Sequence, residues 1–149
     1  IRDRVNLGAT SFWEKYNPNE TGTQHLAMYG RPFGKSLCHA WGASPIYLLG
    51  KYYIGVKPLK EGYKEFAITP VLGDLQWMEG SVPTPNGDIK VRMDRKNITV
   101  SASEGEGYLS FESTSKPKSN QGTIENISKN KYRIKILANK GDYKITGKF

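Results

Sequence analysis

The residues best suited to chemistry lie early in this 149-residue chain, in Trp13-Glu14, Tyr16, His25, His39 and Trp41. Saccharides present C–H faces that stack on aromatic rings, and hydroxyls that exchange hydrogen bonds with His, Asn, Asp and Glu. This mixture of rings and polar groups therefore suits sugar recognition. Each residue also has a plainer reading. Glu14, taken alone, reads as an ordinary surface carboxylate. His39, near a helix start and beside Trp41, can bind a sugar hydroxyl or act as a structural donor at the edge of the core. Trp13 can be a sugar platform or a packed ring. One cysteine, Cys38, cannot close an internal disulfide, and with two histidines it cannot complete a four-ligand zinc site. No metal and no cofactor are expected, and Cys38 is expected to be buried and inert.

Two textures must position these groups. Up to about residue 64 the sequence mixes aromatic and small residues with Gly and Pro in weakly periodic stretches. After it come short alternating runs separated by turn signals. In the first part, Ile1 to Leu7 reads as the end of a helix stopped by Gly8, and 17–23 reads as a loop. Ser36 is a candidate N-cap for a helix to about Tyr53, interrupted between Gly42 and Pro45 and stopped by Gly55. In the second part, strands are expected at 65–69, 72–80, 87–94, 97–102, 108–112, 123–128, 131–137 and 141–146. Ile89, Val91 and Met93 alternate with Lys90 and Arg92, as Ile134 and Ile136 do with Arg133 and Lys135. A lone sheet would leave such apolar faces in water, so two packed sheets are expected, with Trp77 in their core.

Charge narrows the partners. The net charge of +8 is spread evenly, with nine basic against five acidic residues in 1–70 and thirteen against nine in 71–149, or +4 in each part. The densest basic run, Lys129, Lys131, Arg133 and Lys135, alternates with Asn130, Tyr132 and Ile134, as the wet face of a strand does. No nucleic-acid partner is expected. No apolar run approaches the roughly 20 residues that span a membrane, so no membrane partner is expected either. The opening Ile-Arg-Asp-Arg reads as the continuation of a charged segment, as in a piece of a longer protein.

Three stretches in order, Gly8-Ala9-Thr10-Ser11-Phe12-Trp13-Glu14, Ser36-Leu37-Cys38-His39-Ala40-Trp41-Gly42-Ala43, and Gly62-Tyr63 leading to Phe66-Ala67-Ile68-Thr69-Pro70, carry a family resemblance. A fourth, from Pro83 to Val91, adds to it. Together they resemble the C-terminal part of the bacterial α-L-rhamnosidase family, over roughly residues 1 to 93. The resemblance implies an α+β fragment: the last helices of an (α/α)6 barrel over 1–64, followed by an antiparallel β-sandwich over 65–149. It also implies an inverting glycoside hydrolase in which Glu14 is the general base, Trp13 and His39 bind the sugar, and the general acid comes from the upstream barrel of the same protein. The implied partners are a rhamnose-containing glycan or glycoside and that barrel. The implied compartment is periplasmic or extracellular if the parent degrades external glycans.

A second functional class uses the sandwich itself. In a non-catalytic carbohydrate-binding or structural module, Trp77, Tyr108 and Tyr132 would carry the ligand, and residues 1–64 would be a collar. Such a module needs coplanar rings exposed on one sheet face, whereas a support domain buries them. A third class, a protein-interaction module, would follow from helix surfaces that an incomplete barrel leaves uncovered.

Overall fold

The computed structural model describes residues 2–149; Ile1, expected in the opening helix, lies outside the described residues. The chain divides into two compact units, 1–47 and 48–149. The first is short helix and loop. Helix α1 spans Arg2–Asn6 and ends as expected at Gly8, whose φ of 81° suits a residue without a Cβ. Single 3-10 turns follow at Gly22–Leu26 and Ala40–Ala43, and α2 begins at Ser44.

The helical stretch thus starts four residues later than Ser36. The physical reason is that both ends of 36–39 are already paired with 12–14: Glu14 N–H donates to the Ser36 carbonyl at 2.9 Å, and His39 N–H donates to the Phe12 carbonyl at 2.8 Å. Ser36 therefore caps no helix. Pro45 falls in the first turn of α2 (Ser44–Leu48), where its missing N–H costs nothing. The helix then widens into a π turn over Leu49–Ile54 and stops at Gly55, φ 79°. A Cβ on Gly55 would lie 2.0 Å from the Thr69 carbonyl oxygen, so the stop needs glycine twice over.

The second unit is the expected sandwich, built from ten strands. One sheet runs β1-β2-β6-β9-β8 and the other β3-β4-β5-β10-β7. The strands are β1 Val56–Pro58, β2 Glu65–Ile68, β3 Trp77–Thr84, β4 Gly87–Asp94, β5 Asn97–Ala102, β6 Glu106–Glu112, β7 Lys118–Ser119, β8 Ile124–Ser128, β9 Lys131–Leu137 and β10 Tyr143–Thr146. All pairs are antiparallel except β2 with β6, whose parallel contact follows from the chain visiting the other sheet as β3–β5 in between. The strands absent from the sequence reading are β1 and β7, three and two residues long and both at sheet edges. Pro58 is tolerated in β1 because an edge has a side that needs no N–H.

The core lies between the sheets. Ile68, Ile98, Val100, Leu109, Ile134, Ile136 and Ile145 are wholly buried, as is Phe66. The outer face of β9 is wet, and its cations are paired: Lys131 with Glu112 at 3.6 Å, Arg133 with Glu125 at 2.7 Å and Lys135 with Glu106 at 2.8 Å. Trp77, expected in the core, is 60% exposed on the outer face of β3. The period-two alternation explains this. Met78 takes the inward position, and Trp77 lies under the Arg92 guanidinium, 5.7 Å from the ring centre.

Candidate active site

Within the first unit, Glu14 is held from three sides. Its backbone N–H is tied to Ser36, one carboxylate oxygen accepts the Ser36 amide at 3.2 Å, and the other accepts the Tyr29 phenol. The Tyr29 phenol foremost, and the Ser36 amide next, hold Glu14 below the ordinary carboxylate range; partial desolvation opposes them, and His39 and Lys35 add to the lowering. The same contact pushes the Tyr29 phenol up, so it stays a donor at neutral pH. Glu14 is therefore an anion with lone pairs to spare.

The sequence reading had no place for Tyr29. It sits in a two-residue hairpin closed by Met28 N–H to the Arg31 carbonyl at 3.0 Å and Arg31 N–H to the Met28 carbonyl at 2.9 Å. Tyr29 and Gly30 both have positive φ, 53° and 72°, the signature of a type I′ turn. For tyrosine that backbone costs roughly 1–2 kcal/mol. The signal that could have found the turn is Tyr-Gly between short flanks; its contact with a residue fifteen positions earlier had no local signal.

His39 ends the segment paired with 12–14 and meets Trp41 edge to face, ring centres 5.8 Å apart. Trp41 itself is 90% exposed. Trp13 is buried, with its ring 6.3 Å from that of His25. The structure thus brings Glu14 and His39 into electrostatic reach of one another, while Trp13 is packed away from solvent. His25 is also buried, stacked parallel to Tyr16 at 6.0 Å, and Arg4 lies over the Tyr16 ring. Cys38, expected to be buried, is exposed. It lies in a bend between Ser36 and His39, not on the inner side of a helix.

Glu20 is committed elsewhere. The buried Lys35 ammonium donates to it at 3.2 Å and holds its carboxyl below the ordinary range. The His25 Nδ1 lies 3.8 Å from the same oxygen. This buried Lys35 fastens the 17–26 loop to the segment that ends in Ser36. The carboxylates of residues 1–47 are Asp3, Glu14 and Glu20. Glu14 and Glu20 are both held ionised, which suits a base and not a proton donor. Among the described residues no group of His, Cys, Asp and Glu could hold a metal ion.

Residues 55–103 match the model of the bacterial alpha-L-rhamnosidase C-terminal domain. An alpha-L-rhamnosidase of Alteromonas sp. strain LOR is 38% identical over 91 residues, covering 58% of this chain and 9% of that protein. One of Formosa agariphila is 27% identical over 162 residues, covering 97% of this chain and 17% of its own length. The chain therefore spans less than a fifth of these relatives. Among solved structures, Streptomyces avermitilis alpha-L-rhamnosidase complexed with L-rhamnose superposes on 98% of this chain with a TM-score of 0.70, at 16% identity and over 14% of its own length. The enzyme of Dictyoglumus thermophilum does so on 99% with a TM-score of 0.66, at 16% identity and over 17% of its length. At that identity the structures speak for the fold alone. These matches support a place for the chain in the bacterial α-L-rhamnosidase family, as a C-terminal piece whose residues 55–103 match that family's C-terminal domain.

Proposed function

We propose that this chain is the C-terminal part of an inverting α-L-rhamnosidase and supplies its general base, Glu14. In this reading Glu14 takes a proton from a water on one face of the sugar while an acid protonates the leaving oxygen on the other. Inversion places two such carboxyl groups about 6.5–9.5 Å apart to admit the water. The observation that carries the proposal is the state of Glu14: ionised, oriented through both oxygens, and beside a His39 suited to a sugar hydroxyl. Trp13, next to Glu14 in sequence, is a buried ring packed near His25. The acid is assigned to an upstream (α/α)6 barrel, of which the first unit would be the end, because Glu20 is tied up by Lys35. The ligand is a rhamnose-containing glycan or glycoside, in keeping with the L-rhamnose bound to the Streptomyces avermitilis relative.

The binding-module reading has less support. Trp77 belongs to one sheet, while Tyr108 and Tyr132 belong to the other. Within that second sheet Tyr108 faces outward under Arg133, 4.6 Å from its ring centre, whereas Tyr132 turns inward to stack on Phe111. No single face presents these three rings. The test is turnover of a rhamnoside by the full-length protein: proton NMR should find the inverted anomer first, and Glu14→Gln should slow its formation by about 10²- to 10⁴-fold. Retention of configuration would refute the inverting assignment.

A further inference from the structure

The Tyr29 hairpin is conformationally costly and makes a long-range contact with one atom of the proposed base. Its left-handed backbone at φ 53° carries an exposed phenol to the Glu14 carboxylate, fifteen residues back in sequence. Opposite it, the Ser36 amide takes the other oxygen at 3.2 Å, and Ser36 is itself fixed by the backbone pairing of 12–14 with 36–39. A carboxylate gripped at one oxygen can swing about its last torsion. Gripped at both, by donors on two different segments, it has one orientation.

We infer that Tyr29 is a positioning residue for Glu14, its phenol and the Ser36 amide each fixing one carboxylate oxygen so that the remaining lone pairs meet the attacking water in one direction. This rests on Glu14 being the base, as proposed above. The charged and titratable groups facing Glu14 are Tyr29 from the hairpin and His39 and Lys35 from the paired segment. Among them Tyr29 is the one hydrogen-bonded to the carboxylate. The strained turn has a use under this assignment, because a type I′ hairpin is what brings the ring back over the 12–14 segment.

The phenol also weakens the base it orients, since it favours the carboxylate over the acid. Removing it should make Glu14 a stronger base, which taken alone would raise kcat. Orientation and basicity therefore predict opposite signs. In the full-length protein, turnover of a rhamnoside would be followed against pH for the wild type, Tyr29→Phe, Tyr29→Asn and Glu14→Gln. Tyr29→Phe keeps the ring and the backbone. It should lower kcat about tenfold, the worth of one hydrogen bond to a charged group, with KM nearly unchanged. The acidic limb of its kcat/KM profile should move to higher pH. Tyr29→Asn, which tolerates the left-handed backbone but is too short to reach Glu14, should behave the same way. A kcat for Tyr29→Phe at or above wild type overturns the inference, as does a defect confined to Tyr29→Asn. Turnover retained in Glu14→Gln is a separate result: it removes Glu14 as the base, and the assignment of Tyr29 falls with it.

Discussion

Replacing Glu14 with Gln removes a proton acceptor and little else, and the contacts around it say why. The carboxylate accepts at both oxygens, from the Ser36 amide at 3.2 Å and from the Tyr29 phenol. Glutamine has one acceptor and one donor end. The Ser36 amide can only donate, so the Gln oxygen must turn toward it, leaving the NH2 to face the Tyr29 oxygen, which can accept. Both contacts survive in weaker, neutral form, and the backbone bonds of Glu14 to Ser36 and of His39 to Phe12 are untouched. The fold should therefore hold, with a thermal midpoint close to wild type. The chemistry should not: loss of general base catalysis lowers kcat by about 10²- to 10⁴-fold, while sugar affinity largely survives. The assay is steady-state turnover of a rhamnoside by the full-length protein, with binding of the sugar followed by calorimetry. Near-wild-type kcat in a folded Glu14→Gln variant would refute the reasoning. So would turnover of a rhamnoside by the purified 149-residue chain, since that would supply an acid where none is assigned.

Three further outcomes are expected. Glu14 has a lowered folded pKa, so its clamp stabilises the fold above the unfolded carboxyl value and is lost as pH falls through the lowered one; the acidic limb of kcat/KM should accordingly lie below the ordinary glutamate value of about 4.3, as pH-rate profiles will test. Ile134→Ala empties a wholly buried site between β6 and β8, and at about 2–5 kcal/mol and about 4–8 °C per kcal/mol it should lower the melting midpoint by about 10 °C or more in calorimetry. Trp77→Ala removes an exposed ring whose contact with Arg92 is worth about 0.5–1 kcal/mol, and glycan binding in titration calorimetry should not change; a clear loss of binding would revive the sandwich as a carbohydrate module.

The sandwich was legible because its information is local. The boundaries of β4, β5 and β9 follow from alternation between turn signals, as in Gly87–Asp94, Asn97–Ala102 and Lys131–Leu137. The Asp94 carboxylate that accepts the Lys96 and Asn97 amides at 2.7 and 2.8 Å is written in the Asp-Arg-Lys-Asn turn itself. What stayed illegible depended on partners far along the chain. Edge strands β1 and β7 are too short to show a period. Ser36 has the composition of a helix cap, yet its amide and carbonyl both go to Glu14, twenty-two residues away. Trp77 was placed inward because large rings favour cores, although its alternation with Met78 pointed the other way. At the site, motif order singled out Glu14 and His39, but the phenol on Glu14 comes from a hairpin with no resemblance to carry it.

The two units are stabilised by different means. The sandwich holds a continuous apolar core from Ile54 to Ile145. In residues 2–47 the buried residues are Trp13, His25 and Lys35, two of them polar, and the segment is held by backbone pairing and the Lys35–Glu20 contact. Its apolar residues face outward instead, with Val5, Leu7, Phe33, Trp41 and Ile46 all exposed. A polypeptide of this length that buries so little gains little hydrophobic stabilisation from its own contacts. Its order rests instead on polar and backbone contacts, so a change that breaks the Lys35–Glu20 contact should loosen this segment while leaving the apolar core of the sandwich intact.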